Sequence, residues 1–102
     1  MRENVYRIKD EIAYRKAADG TMTIVSPVTD KIITINTSAT EVWEMIDGKR
    51  NMDEIKEQFI SKHRDDADFP GETEAEHDTE VILEEFLKRE LIEEIKIEYP
   101  GG

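Results

Sequence analysis

The chain has 102 residues, no cysteine and a formal net charge of -11. That length favours one domain burying roughly two-thirds of its unfolded surface, with room for one modest core but little for a deep enclosed active site as well. Lack of cysteine excludes disulfides and thiolate metal sites, and no apolar run approaches the roughly 20 residues of a membrane span. The first half is balanced, with eight basic and eight acidic residues. Residues 51–102 carry six basic against seventeen acidic residues and hold the whole excess. Nucleic-acid binding needs phosphates neutralised by basic side chains, so the composition argues against it.

Residues 1–10 are polar and read as a flexible N-terminus without the apolar core of a signal peptide, which predicts a cytoplasmic protein. Ile12 to Ala17 suits a strand. Asp19-Gly20 is a hairpin signal, and Met22 to Val25 follows as the second strand. Pro27 breaks it, Thr29-Asp30 makes a turn, and Lys31 to Ile35 forms a third strand rich in β-branched residues.

Ser38 and Glu41 have the spacing of a capping box, in which hydroxyl and carboxylate satisfy free backbone donors at a helix start. Ala39, Val42, Trp43 and Ile46 then line one helical face, with Trp43 read as a core anchor. Asp47-Gly48 ends this helix. Asn51 with Glu54 repeats the capping signal, and Met52, Ile55 and Phe59 form the second helix's apolar stripe. Residues 64–77 read as an acidic loop around Pro70-Gly71. Asp78 or Thr79 opens a third helix through Arg89, its core face formed by Ile82, Leu83, Phe86 and Leu87. Leu91 and Ile92 close that helix against the core. Ile95, Ile97 and Tyr99 alternate with charges as in a short final strand, and residues 100–102 read as a tail. The predicted fold is α+β, an N-terminal three-stranded antiparallel sheet followed by three helices, with the domain over 11–99.

Catalytic chemistry is absent from the pattern. His63 and His77 flank carboxylates that could hold a divalent ion weakly, but their spacing matches no metal motif, and a solvated loop is the simpler reading. Neighbouring glutamates such as Glu84-Glu85 point in different directions on a helix and make poor acid/base pairs. No glycine-rich phosphate loop or activated nucleophile is present. Pro100-Gly101-Gly102 resembles a ubiquitin-like tail, but a helical second half does not fit a β-grasp fold. No enzyme activity, metal or cofactor is expected.

The third strand carries one charge, at Lys31. As a sheet edge it is poorly defended, and an edge left open can accept an extended peptide as an added strand. The alternative is a central or covered strand. On the third helix, Val81, Glu85 and Lys88 form a stripe next to its core face.

As a set, these pieces resemble the PqqD family, small peptide-binding proteins of ribosomal-peptide modification. The matching residues are Ile24-Val25-Ser26-Pro27, Ile33-Thr34-Ile35-Asn36, the helix Ala39 to Met45, and Asp47-Gly48-Lys49-Arg50 leading into Asp53-Glu54-Ile55. The resemblance implies a winged helix-turn-helix-like fold. It also implies binding of a precursor's leader peptide in a groove between the third strand and third helix, for delivery to a modifying enzyme such as a radical-SAM maturase or a leader peptidase. The candidate peptide-binding residues are Lys31, Ile32, Ile33, Thr34 and Ile35 with Val81, Ile82, Glu85 and Lys88. Glu80, Glu84, Glu85 and Glu90 make the helix acidic, which suggests a leader with Lys or Arg beside its apolar anchors, whereas Lys88 and Arg89 would instead suit an acidic leader. The competing reading is a winged-helix transcriptional regulator, which would need a basic recognition helix that neither Asn51 to His63 nor Thr79 to Arg89 supplies.

Overall fold

A tight hairpin starts the sheet that carries the site. The computed structural model describes residues 2–98, with side chains over 4–96. Strands β2 (Ala13–Lys16) and β3 (Met22–Ser26) are joined by a turn in which Asp19 accepts from the Thr21 N–H at 3.0 Å and the Thr21 hydroxyl at 2.7 Å. Gly20 adopts φ +91°, and a Cβ there would sit 3.0 Å from Thr37, so the position requires glycine twice over. In β3, Met22, Ile24 and Ser26 are buried while Thr23 and Val25 face out, the alternation of a one-sided strand. Asp30, at φ 55°, turns the chain into β4 (Lys31–Ile35), which pairs antiparallel with β3. The sheet order is β2-β3-β4, so β2 and β4 are both edges.

Helix α1 (Thr37–Glu44) begins where β4 ends. Its cap is Asn36, whose side chain accepts from the Ala39 N–H at 2.9 Å, rather than the expected Ser38. Asn36 holds the extended conformation a cap needs, and Glu41 turns instead to His63 and Lys62 on the next helix. Helix α2 (Met52–His63) has the predicted capping box from Asn51 and Glu54.

Two expectations are corrected. Helix α3 spans Glu72–Lys88, starting six residues before Asp78. Its first two turns have one apolar residue, Ala75, too little for a periodic signal. Ala75 and Thr79 are nonetheless buried in line with Leu83 and Phe86, and the Thr79 hydroxyl is satisfied by the Ala75 carbonyl at 2.9 Å. Glu72 and Glu74 also lie at the favourable end of the helix dipole.

The N-terminus expected to be flexible over residues 1–10 is instead strand β1 (Arg2–Ile8), paired antiparallel with β5 (Ile92–Glu98) in a second sheet. Val5 and Tyr6 are buried, and Arg7 bonds Glu93 at 2.6 Å. Gly48 donates to the Tyr6 carbonyl at 2.8 Å, so the Asp47-Gly48 turn docks this strand. The architecture is α+β, with three helices and two antiparallel sheets where one was expected. Residues 99–102, which include the expected tail, lie outside the described residues.

The core joins both sheets to all three helices through Ile24, Trp43, Ile55, Leu83, Phe86, Leu91 and Ile92. Trp43 is buried as expected, edge-on to Phe86 at 5.1 Å and to Tyr14 at 5.4 Å. Leu91 and Ile92 are buried too, beyond the end of α3, where Glu90 at φ 61° turns the chain into β5.

Candidate functional site

The edge of β4 not paired to β3 faces α3 across a groove. The sequence places Asn36 and Ala39 directly after β4, so the start of α1 closes one end. Val81 and Glu85 lie one turn apart on α3, on a different face from the buried Thr79, and both line the groove. The groove has a volume of about 390 Å³ and is walled by Ile33, Thr34, Ile35 and Ala39 on one side and by Val81, Ile82, Glu85 and Arg89 on the other. Phe86 and Leu91 form its floor. A second hollow of about 350 Å³ shares Ile33, Glu85, Arg89 and Leu91 and runs on to Lys31, Lys88 and Glu90.

Of the candidate residues, Ile33, Thr34, Ile35, Val81, Ile82 and Glu85 border the first hollow, and Lys31 and Lys88 the second. Ile32 lines neither. It is 74% exposed on the outer face of the sheet, beside its cross-strand partner Val25. Strand alternation sends Ile32 and Thr34 to that face and Lys31, Ile33 and Ile35 to the other. Sequence reasoning did not assign Ala39, Arg89, Phe86 or Leu91 to the groove. Phe86 and Leu91 read correctly as core residues, and only the packing reveals that they also form its floor.

The acidic wall expected from the composition of α3 is mostly elsewhere. Glu80 is paired with Lys56 of α2. Only Glu85 and Glu90 reach the two hollows, and Glu85 accepts from Arg89 at 2.9 Å.

A larger hollow, about 650 Å³, lies at the opposite edge and is lined by residues of the β2–β3 hairpin alone, among them Tyr14, Arg15 and Val25. No second element faces it, whereas the β4–α3 groove has two walls and a floor.

His63 is held between carboxylates, with Nδ1 2.7 Å from Asp66 and Nε2 bonded to Glu41. His77 is not part of this cluster, and no group of three or more metal-ligating side chains occurs among the described residues. Hydrogen bonding to Asp66 raises the His63 pKa above its ordinary value, burial opposes this, and Glu41 adds to the rise. The folded state thus favours the protonated ring. The stabilisation is complete below about pH 6.5 and is lost as pH rises through the elevated folded value. Urea midpoints are expected to fall over that window in the parent protein and much less in His63→Asn. Equal slopes for the two proteins would show that the clasp contributes nothing.

One family's sequence model, that of coenzyme PQQ synthesis protein D (PqqD), matches residues 22–92, well over half of the chain. The chain belongs to the PqqD family. The match runs from β3 to the first residue of β5 and so contains both walls of the groove. No curated protein matches this PqqD-family chain in sequence. Among solved structures, it is similar to TbiB1 in complex with the TbiA(beta) leader peptide, with a TM-score of 0.70 and 15% identity over 85% of this chain and 94% of that one. It is also similar to a lasso peptide synthetase B1 complexed with the leader peptide, with a TM-score of 0.68 and 15% identity over 86% and 96%. At that identity the likeness is one of fold.

Proposed function

We propose that this PqqD-family protein binds the leader segment of a ribosomally made precursor peptide and presents it to a modifying enzyme, a radical-SAM maturase or a leader peptidase, without itself catalysing a reaction. The observation that carries this reading is the open edge of β4 facing α3 across a two-walled apolar groove. An edge strand offers backbone donors and acceptors to any extended chain, and the groove beside it gives alternate side chains a place to bury. Each apolar side chain buried there contributes about 1.5–3 kcal/mol before the cost of ordering the peptide. Both similar structures were solved with a leader peptide bound, which supports the same use here.

The helices and β-hairpin resemble a winged helix-turn-helix, which we read as a peptide-binding rather than a DNA-binding arrangement. Helix α2 sets Lys56 and Lys62 against Asp53, Glu54 and Glu57, and α3 is more acidic still. A DNA-reading helix would need the opposite balance. No helix among the described residues is long and apolar enough to cross a membrane. The absence of cysteine suits the reducing cytoplasm, where precursor peptides are synthesised.

Titration of isotopically labelled protein with synthetic leader segments of ribosomal precursor peptides tests the proposal. The largest amide shifts are expected over residues 31–36 and 79–89, with slowed hydrogen exchange along β4. Shifts confined to β1 or to the β2 edge would sink it.

A further inference from the structure

The groove differs in chemistry at its two ends. At the Ile35 end the side chains are mainly apolar, with Ile33, Ile35, Ala39, Val81 and Ile82 beside the mutually paired Glu85 and Arg89. At the Lys31 end they are charged. There Arg89 is neutralised by Glu85 at 2.9 Å. Lys31 and Lys88 form no salt bridge with any described residue, and Glu90 is the one other acid present. In a chain of net charge -11, this end of the groove therefore carries a local excess of positive charge.

Lys31, Ile33 and Ile35 project from one face of β4, because strand side chains alternate. A strand added to β4 presents side chains to that face at every second position. A residue seated in the apolar hollow beside Ile33 and Ile35 therefore has a neighbour two or four positions along that reaches Lys31 and Lys88. Resting on the strand-addition reading above, we infer that the leader selected by this protein carries an aspartate or glutamate two or four positions from its apolar anchor, held by Lys31 and Lys88. This reverses the basic leader suggested by the composition of α3. The glutamates behind that suggestion are mostly outside the groove or already paired.

The test uses the full chain and fluorescent synthetic peptides tiling the leader of a ribosomal precursor peptide, read by anisotropy. Lys31→Glu and Lys88→Glu are compared with Lys96→Glu, which makes the same change of charge on β5. The two groove lysines are exposed, so the fold should tolerate both changes, as circular dichroism can verify. Each groove variant should weaken the leader-containing peptide about tenfold, and Lys96→Glu should not. Changing the acidic residue of the peptide to lysine should weaken its binding to the parent protein and restore binding to Lys31→Glu. If the peptide shifts the β4 amides but both groove variants bind as tightly as Lys96→Glu, the acidic anchor is overturned while strand addition stands. If no tiled peptide shifts the β4 amides, strand addition fails and the inference with it.

Discussion

Val81→Asp is expected to weaken leader binding about a hundredfold while leaving the protein folded. Val81 is 49% exposed on α3 and lines the apolar end of the groove. Valine and aspartate have similar helix propensities, and a half-exposed position away from caps tolerates substitution within about 0.5 kcal/mol. The bound state is different. A peptide side chain seated against the introduced aspartate loses part of an apolar contact worth about 1.5–3 kcal/mol, and the new carboxylate is desolvated without a partner, at about 1–3 kcal/mol more. A net loss near 3 kcal/mol corresponds to about two decades in Kd. Anisotropy titration measures it, with thermal melts to verify the fold. A change below about threefold in a folded variant would move the peptide elsewhere, with the hairpin hollow at the β2 edge the next candidate.

Trp43→Ala should cost about 3–5 kcal/mol of stability, the usual range for deleting a large buried aromatic. That is a large part of the roughly 5–15 kcal/mol holding a domain of this kind together, and Tm should fall by about 15 °C or more. Trp43 sits edge-on between Tyr14 of the sheet and Phe86 of α3, so one side chain joins three elements. Its indole N–H is buried and has no acceptor among the described residues. Trp43→Phe keeps the aromatic contacts and removes that unsatisfied donor, so its loss should be smaller, about 1–2 kcal/mol. Urea denaturation followed by circular dichroism measures both variants. A loss below about 1 kcal/mol for Trp43→Ala would mean that the sheet and α3 are joined through other contacts.

The features legible in the sequence were local. Lys31–Ile35 and the Asn51–Glu54 cap depend on residues within a few positions of each other, and both are found where the pattern puts them. The start of α3 was not legible, because Ala75 and Thr79 are too small and too polar to mark a buried face. Asn36 displaced Ser38 as a cap because the helix already begins at Thr37, which puts Ser38 inside its first turn.

By itself, then, the sequence determined the β2–β4 hairpin elements, the helical faces and, through a run of family-like residues, the identity of a PqqD-type domain. Each of these rests on periodicity or on turn and cap chemistry over short spans. The tertiary structure alone decided that Arg2–Ile8 is a strand, since its partner lies at the other end of the chain and no local pattern encodes that pairing. It also decided that β4 is an edge, that Ile32 turns away from the groove, and that Lys31 and Lys88 stand unpaired in it against Glu90 alone, Glu85 being paired with Arg89. Composition counts charges, whereas the field in a groove depends on which of them are already neutralised by a neighbour, and that is known only once the helices and strands are packed.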